Sequence, residues 1–296
     1  MIASWKEYRI INESLNEFVK KFEVDPEIKQ MIEYVLLGGG KRSRPIIVLL
    51  STEICNGNAQ DSINAALAIE LVHTVSLIQD DILDKGASRR GKPTAHEQFG
   101  AELALLCSDL LISKAVELIS NYEKAIVQDF AKAGILMSEG EILDLKMRRI
   151  KVPEVDYYEC ISRKTAALFS ASASIGGMIA RGKRDFYVER LASFGAELGI
   201  AYQIVDDLLE FLETCDIQKA KFLPIAKNIA NIGNSSAEVA RAIFEIVEEH
   251  SKLAKQQLDR FDESEAKHKL LKLVDILTIH TLEGVGWKKE YMKARF

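Results

Sequence analysis

Residues 65–84 read AALAIELVHTVSLIQDDILD, an apolar run that ends in three carboxylates. A helix over Ala65 to Ile78 would be apolar around nearly its whole circumference, as the central helices of a bundle are. Positions i and i+4 share a helix face, so Asp80 and Asp84 project together. Stacked carboxylates on a buried helix repel each other and lose hydration, so we expect cations to neutralise them.

A second apolar run, Leu191 to Leu212, carries the acidic stretch DDLLE at residues 206–210. Asp206 and Glu210 are again four residues apart and share a helix face. Carboxylate oxygens suit Mg²⁺, which keeps several waters and shares its coordination shell with substrate phosphates. The two acidic clusters therefore predict a magnesium site at one end of an apolar interior.

Helix signals dominate the remaining sequence. Asp25-Pro26-Glu27 is typical of an N-cap, a first helical residue and a first-turn acid. Ala237 to Asp262 alternates apolar positions with acids and bases, which indicates a surface helix. Few alternating strand patterns occur. We predict an all-α fold, a single-domain bundle spanning residues 1–296, with about ten or more helices around a deep central cavity.

The composition limits the function classes. The chain has 296 residues, and its net charge of -5 argues against a general nucleic-acid binder. Its four cysteines are widely spaced without a CxxC pair, which favours a reduced, cytoplasmic compartment. The charged, amphipathic N-terminus is unlike a signal peptide. No run reaches the roughly 18 uncharged apolar residues of a membrane span, so we expect no transmembrane segment.

Three basic segments accompany the acidic clusters. GGGKRSRP at residues 38–45 is a glycine-rich turn feeding a helix, where backbone N–H groups and cations can hold a phosphate, although such a turn alone is more often a plain helix start. SRRGKPT at residues 88–94 alone indicates a solvated basic loop, and Lys164-Thr165 with the small residues after it indicates close helix packing. Together with the acids, they fit a site for two polyanions, and the apolar interior fits a hydrocarbon. A diphosphate joined to a hydrocarbon chain matches both features.

The chain resembles the trans-isoprenyl diphosphate synthases, the family of farnesyl and geranylgeranyl diphosphate synthases. The resemblance runs from about Gly38 to about Glu210 with matching order and spacing. The matching segments are GGKRSRP (39–45), His73 seven residues before Asp80, DDILD (80–84), RRGKPTAH (89–96), GEILDL (140–145), Lys164-Thr165 and GIAYQIVDDLLE (199–210).

The resemblance assigns roles to the matching residues. The implied isopentenyl diphosphate site consists of Lys41, Arg44, His73 and Arg90. The implied allylic diphosphate site consists of Arg89, Lys164, Thr165 and Gln203. The implied Mg²⁺ ligands are Asp80, Asp84 and Asp206, with Asp81, Asp207 and Glu210 as neighbouring or water-mediated partners. The residues implied in catalysis itself are Asp80, Asp84, Arg89, Lys164 and Asp206.

The resemblance also implies a reaction and an assembly. An allylic diphosphate ionises, the alkene of isopentenyl diphosphate attacks the cation, and a proton is lost, so the chain grows by five carbons. Roughly three Mg²⁺ ions would act with substrate bound, and the protein would be a homodimer. Two alternatives remain open at this point. One is a non-catalytic or partner-dependent subunit of a heteromeric synthase, and the other is an all-α terpene cyclase.

Three departures from the family pattern stand out. Glu210 occupies a position that is usually Asp, yet it still offers a carboxylate one turn after Asp206. Gln79 stands where His is frequent, and we assign it no role. The segment 211–224 is shorter than the usual loop with further lysines, and Lys219 or Lys221 would replace a phosphate contact there. This departure favours the partner-dependent alternative.

Product length is the last expectation from the sequence. In the family, bulky side chains four or five positions before the first aspartate form the floor of the hydrocarbon tunnel. Ser76 and Val75 stand at these positions, with Val72 one further turn down, and none of them is bulky. We therefore expect a tunnel deeper than that of a farnesyl synthase and a product of 20 carbons or longer.

Overall fold

The computed structural model describes residues 2–149, 157–214 and 236–284, and these parts are almost entirely helical. The α-helices are α1 (Lys6–Lys21), α2 (Pro26–Leu37), α3 (Ser43–Ile54), α4 (Ile63–Leu83), α5 (Ala95–Phe99), α6 (Ala101–Ile119), α7 (Lys124–Arg149), α8 (Tyr157–Ile161), α9 (Ala167–Arg181), α10 (Phe186–Thr214), α11 (Ser236–Gln257), α12 (Glu265–Leu277) and α13 (Ile279–Gly284). Short 3₁₀ turns cover Ile2–Ser4 and Ala59–Ser62, and a π-helical turn, Ser162–Ala166, joins α8 to α9. The predicted all-α fold is confirmed.

The two acidic runs form central helices, as predicted. α4 packs mainly against α6, α3 and α9, and α10 packs against α9 and α11. With the preceding 3₁₀ turn, α4 is long and apolar enough to cross a membrane. Most of its apolar side chains are instead buried against neighbouring helices, among them Leu67, Ile69 and Leu71. This core helix therefore gives little reason to expect a membrane span.

Two local predictions are also confirmed. Asp25 is the N-cap of α2, where its side chain accepts a hydrogen bond of 2.9 Å from the Glu27 amide. Helix α11 buries Ile243 and Val247 and exposes acids such as Glu248 on its other face. It is the amphipathic surface helix that its sequence pattern indicated.

The segment after the first acidic cluster differs from the predicted loop. It forms a two-stranded antiparallel hairpin, β1 (Ser88–Arg89) and β2 (Lys92–Pro93), with Arg89 paired to Lys92. The two turn residues have positive φ angles, 53° at Arg90 and 74° at Gly91, which is the backbone hand that tight hairpins require. The hairpin directs the two arginines to different partners, so a two-residue turn positions two predicted substrate contacts.

Candidate active site

Both acidic clusters divide into open and buried carboxylates. Asp84, Asp206 and Glu210 are exposed and Asp80 is half-buried, and we call these four residues the open row. Asp81 and Asp207, each one residue further around its helix, are buried at 8% and 5% exposure. The i, i+4 spacing thus places one pair of carboxylates per helix towards the site and turns the middle one away.

The buried aspartates bind other side chains. Asp81 accepts a two-pronged pair of hydrogen bonds from Arg89, with Nε–Oδ2 at 2.9 Å and Nη2–Oδ1 at 2.8 Å. Asp207 accepts from the Tyr157 hydroxyl at 2.5 Å and from Gln203 Nε2 at 3.1 Å. These contacts orient Arg89 and Gln203, which suits a positioning role better than direct ligation of a metal.

Lys164 lies at the centre of the acidic half of the site. Its Nζ is 2.5 Å from Glu141 Oε2, 2.7 Å from Asp144 Oδ2 and 3.7 Å from Asp80 Oδ1. One ammonium thus faces three carboxylates. Burial, with the negative charges of Glu141 and Asp84, raises the pKa of Asp80 to about 7, although Lys164 acts in the opposite direction. The cluster carries more negative charge than its cation compensates.

Close helix packing places Lys164 there. A Cβ atom on Gly140 would lie 2.2 Å from the backbone N of Lys164, so only glycine allows α7 to approach the π-helical turn this closely. π-Helical turns are rare and frequently occur at functional sites. The turn also presents Thr165, whose hydroxyl donates to Gln203 Oε1 at 2.6 Å. The π-helical turn therefore contacts both neighbouring helices through its predicted allylic diphosphate residues: Lys164 contacts α7 and Thr165 contacts α10.

A cationic half faces these acids. It consists of Lys41, Arg44, His73 and Arg90, which we call the cation cluster. Arg44 is 7% exposed, and its guanidinium stacks on Phe169 at 4.2 Å and approaches His73 Nε2 at 3.3 Å. Arg90 donates to the Gly39 carbonyl oxygen. Gly40, with φ of 133°, leaves room for the Arg90 guanidinium, which a Cβ atom would approach to 2.9 Å.

The cation cluster lacks ion-paired acids in the described part of the chain. There, no salt bridge joins Lys41, Arg44 or Arg90 to a carboxylate, and Arg44 Nε is buried without a hydrogen-bond partner. Burial lowers the pKa of each of the three cations, which marks a site short of negative charge. An anion bound there would satisfy the unpaired guanidinium.

Tyr202 lies between the two halves of the site. Its ring is 5.9 Å from Lys41 Nζ and 5.9 Å from the Arg44 guanidinium carbon, and it lies one turn before Asp206. Burial lowers the pKa of Lys41 and Arg44, and the negative charge of the nearby Asp206 opposes this effect. The same charge contributes to the raised pKa of Arg89, after the hydrogen bond from Arg89 to Asp81. The fold therefore brings the second acidic cluster beside the cations of the first basic motif, which are more than 150 residues away in sequence.

Arg42, between two residues of the cation cluster in sequence, is turned away from it. It has a left-handed φ of 52° at the N-cap of α3, and its guanidinium pairs with Glu70 at 2.5 Å inside the protein. Both partners are nearly fully buried, at 5% and 3% exposure. Arg42 is structural, so only two of the three cations in this motif belong to the site.

His73 is held neutral by its surroundings. Burial, followed by the positive charges of Arg44 and Arg90, lowers the pKa of His73 well below its usual value. The unfolded chain binds a proton near pH 6.5 that the folded protein resists. His73 therefore costs no stability above about pH 6.5. Below that pH the unfolded chain takes up the proton more readily than the folded protein, so the free energy of unfolding falls as the pH is lowered.

We expect the substitution His73→Gln to flatten this acid-side loss of stability. Between pH 6.5 and 5.5, wild type should lose up to about 1.4 kcal/mol more unfolding free energy than the variant. Urea denaturation at each pH measures this difference. The matched control is His268→Gln, since that imidazole is exposed and has an acidic neighbour, Glu263, at 3.3 Å. Equal slopes for wild type and His73→Gln would contradict the assignment.

The donor set fits Mg²⁺. The open row offers hard carboxylate oxygens beside an acidic cluster with excess negative charge, as a divalent cation requires. In the described residues, no three acidic or histidine side chains converge closely enough to hold a cation by themselves. Mg²⁺ bound here would complete its shell with water and phosphate oxygens, as this ion commonly does. Asp80, Asp84, Asp206 and Glu210 would hold it.

Some relevant residues were not assigned from the sequence. Glu141 and Asp144 lie in a matching segment, GEILDL, but their contact with Lys164 depends on how α7 packs. Tyr157 gave no sequence signal, because it follows no motif and binds Asp207 from another helix. The altered segment 215–224, with Lys219, Lys221 and Cys215, lies outside the described residues. Its effect on the site stays a prediction.

Comparison with known proteins agrees with this geometry. The sequence model of the polyprenyl synthetase family matches residues 25–273. The chain belongs to the polyprenyl synthetase family. This stretch contains all the residues of the open row and the cation cluster. The resemblance inferred from the motifs is confirmed.

Individual relatives are similar over nearly their whole length. A geranylfarnesyl diphosphate synthase of Methanosarcina mazei is 45% identical, with 96% of each chain covered. A geranylgeranyl diphosphate synthase of Sulfolobus acidocaldarius is 35% identical, with 93% of this chain and 84% of the relative covered. A solved structure described as a geranyltranstransferase of M. mazei is 44% identical, has a TM-score of 0.82, and covers 95% of this chain and 100% of its own.

Proposed function

We propose that this protein is a Mg²⁺-dependent trans-prenyltransferase. It condenses an allylic diphosphate with isopentenyl diphosphate, head to tail, and releases diphosphate. The observation that carries the proposal is the division of one site into two halves of opposite charge. In the acidic half several carboxylates surround Lys164, whereas in the described residues no carboxylate forms a salt bridge with the cations of the other half. A diphosphate would balance the charge of the cationic half directly, and a second diphosphate bound together with Mg²⁺ would balance the acidic half.

The residues divide the work by charge. The cation cluster would hold isopentenyl diphosphate directly, because Arg44 is already ordered by stacking on Phe169. Lys164 and Arg89 would bind the allylic diphosphate and stabilise the charge that develops as its carbon–oxygen bond breaks. Mg²⁺, when bound, would supply further neutralisation of the leaving diphosphate. We propose about three such ions with substrate present.

The hydrocarbon chemistry needs little from the protein beyond position. The double bond of isopentenyl diphosphate attacks the allylic carbon and forms the new carbon–carbon bond. The extra proton then leaves, with the released diphosphate as the acceptor. Thr165 and Gln203 would keep the allylic group in place, since both are fixed by the hydrogen-bond chain that ends on Asp207.

One assay tests the proposal and its alternatives. Purified protein is incubated with labelled isopentenyl diphosphate and a series of allylic diphosphates, with Mg²⁺ or with EDTA. Elongated diphosphates formed only with Mg²⁺ are the expected result. Cyclised hydrocarbons would identify a terpene cyclase. The absence of turnover by the chain alone would favour the partner-dependent subunit and overturn the proposal.

We propose a product of 20 carbons or longer. The relatives named geranylfarnesyl and geranylgeranyl diphosphate synthases support this length. So do Ser76 and Val72, which lie on the Asp80 side of α4 and are only half-buried. Val75 points about 140° away from Asp80 around the helix and is 3% exposed within the core. The structure therefore favours Ser76 over Val75 as the position that limits the tunnel.

We expect Ser76→Phe to shorten the product by at least one five-carbon unit, because the ring would fill the space directly beneath Asp80. Val75→Phe is the matched control. Its added volume enters a packed core, so we expect about 1–3 kcal/mol of lost stability rather than a clean change of product. Chromatography of dephosphorylated products and urea denaturation measure the two effects. A wild-type product pattern from Ser76→Phe would contradict the tunnel assignment.

We further propose that the whole chain, residues 1–296, acts as one domain, works in the cytoplasm and forms a homodimer. Helix α6 carries Leu105, Ile112 and Val116 on one face with 48%, 37% and 51% exposure. α7 adds Ile135 and Ile142 at 61% and 51%. An exposed apolar face of this kind is typical of a subunit interface. Sedimentation equilibrium should give the mass of two chains, and Val116→Lys should shift it towards one.

The described cysteines support the cytoplasmic proposal. Cys55, Cys107 and Cys160 are buried free thiols. Burial raises the pKa of Cys55 and Cys107 to about 11, so neither is a reactive thiolate near neutral pH. Buried, unpaired and inert thiols are what a reducing compartment permits.

A further inference from the structure

Tyr34, near the end of α2, joins that helix to the hairpin of β1 and β2. Its hydroxyl donates a hydrogen bond of 2.7 Å to the carbonyl oxygen of Pro93, the last residue of β2. The Tyr34 ring also packs against Phe99 of α5 in a T-shaped arrangement, with ring centroids 5.3 Å apart, and lies 5.9 Å from Lys92 Nζ. One side chain of α2 thus holds β2 in place.

The hairpin needs such anchors, because an isolated two-stranded hairpin is marginally stable in water. Its ladder has only two residue pairs, Ser88 with Pro93 and Arg89 with Lys92. In the turn, Arg90 has a φ of 53°, which residues other than glycine rarely adopt. A backbone of this kind persists where its surroundings hold it, so the contacts of the hairpin with the helices determine where its arginines lie.

The two arginines of the hairpin depend on different anchors. Arg89 on β1 is fixed by its two-pronged contact with Asp81 of α4. Arg90, in the turn, donates to the carbonyl oxygen of Gly39, which is five residues after Tyr34 in sequence. Loss of the Tyr34 bond would therefore leave the Arg89 contact intact and release the strand that follows Arg90.

The turn after α2 relates Tyr34 to the cation cluster. A Cβ atom on Gly38 would lie 2.8 Å from the Tyr34 carbonyl oxygen, so this turn packs directly on the last turn of α2. The turn continues through Gly40, against which the Arg90 guanidinium lies, into Lys41. A shift of the hairpin against the end of α2 would therefore move Arg90 relative to the other cations of the cluster.

We propose that Tyr34 is a positioning residue for isopentenyl diphosphate. This rests on the proposed prenyltransferase function, in which the cation cluster binds that substrate. Tyr34 acts through Arg90: its hydroxyl fixes β2 and so keeps the Arg90 guanidinium beside the other cations before the substrate arrives. Groups that are already ordered lose less conformational entropy on binding, which raises affinity. The allylic diphosphate does not depend on Tyr34, since Arg89 and Lys164 are held from α4 and α7.

The test compares Tyr34→Phe with wild type by calorimetry of isopentenyl diphosphate without metal and by steady-state kinetics with Mg²⁺. Phenylalanine keeps the ring beside Phe99 and removes only the hydroxyl. We expect the Kd and the KM for isopentenyl diphosphate to rise at least twofold and up to about tenfold, because the loss passed on to Arg90 is limited by the free energy of one hydrogen bond. The kcat and the KM for the allylic diphosphate should stay within about twofold.

Tyr122→Phe is the matched control. The Tyr122 hydroxyl also donates to a main-chain carbonyl oxygen, that of Asp61, at 2.8 Å. It lies beside Ala65, at the opposite end of α4 from Asp80. We expect this variant to leave both substrates unaffected, and urea denaturation should give the two Phe variants similar stabilities.

A double variant separates positioning from a general loss of structure. If Tyr34 acts through Arg90, Tyr34→Phe combined with Arg90→Gln binds isopentenyl diphosphate no more weakly than Arg90→Gln alone. A further loss in the double variant would overturn the proposal. So would a Kd for isopentenyl diphosphate within twofold of wild type from Tyr34→Phe, or an equal rise in the KM for the allylic diphosphate.

Failure of the proposed function gives a different result. If wild type binds isopentenyl diphosphate but forms no elongated product, the prenyltransferase function is overturned and the Kd comparison still decides the role of Tyr34. The absence of binding by wild type would overturn both.

Discussion

Asp80→Asn is expected to lower kcat by about 10²–10³-fold, which is typical when one preorganised electrostatic group is lost. Asp80 is the open-row carboxylate that lies within 3.7 Å of Lys164, and it is half-buried beside Glu141. Asparagine keeps the shape and removes the charge that would hold Mg²⁺ against the leaving diphosphate. Initial rates with labelled isopentenyl diphosphate at saturating Mg²⁺ measure the effect.

The same substitution should not destabilise the metal-free protein. Burial and neighbouring carboxylates raise the pKa of Asp80, so its ionised form weakens the fold at pH 8 in EDTA. We expect the thermal midpoint of Asp80→Asn under these conditions to equal or exceed that of wild type. Asp259→Asn, at an exposed position, is the control and should change neither rate nor midpoint. A variant retaining more than a tenth of wild-type kcat would contradict the role of Asp80.

Glu70→Gln is expected to lower the free energy of unfolding by about 3–5 kcal/mol, the usual cost of breaking a buried ion pair on one side. It leaves the buried Arg42 guanidinium, which also donates to the Leu36 carbonyl oxygen at 2.5 Å, without its counter-charge. Arg42 is the N-cap residue of α3, the helix that presents Arg44, so the loss should also disturb the cation cluster.

Urea denaturation measures the loss, and two further variants interpret it. Glu117→Gln breaks an exposed pair with Lys114 at 2.6 Å and should cost less than about 1 kcal/mol. The double substitution Arg42→Met with Glu70→Leu should recover most of the stability, because it removes both buried charges. A cost below about 1 kcal/mol for Glu70→Gln would mean that water or another group already compensates Arg42.

Much of the site could be predicted because its chemistry follows from helix periodicity. Carboxylates four residues apart on an apolar helix must share a face, so Asp80 with Asp84 and Asp206 with Glu210 could be paired without coordinates. The same rule places Val75 about 140° from Asp80 and Ser76 about 40° from it, since four and five residues differ by about 100° of rotation.

Other features depend on contacts that sequence spacing does not encode. The residues of KRSR at 41–44 look equivalent as letters, yet Arg42 pairs with Glu70 inside the protein while Arg44 stacks on Phe169 at the site. The left-handed backbone at Arg42 makes this separation, and nothing in the local sequence requires it. The hairpin that turns Arg89 to Asp81 and Arg90 to Gly39 is likewise visible only in the fold.

The sequence by itself determined the all-α class, the two acidic clusters and the family, because local periodicity and motif order are properties of the chain alone. Tertiary structure decided which carboxylates are open and which cations lack an acidic partner within the part of the chain that the structure describes. The physical reason is that charge balance and packing are sums over neighbours from distant segments. Lys164 meets Glu141 and Asp80 only because Gly140 lets two helices approach each other closely.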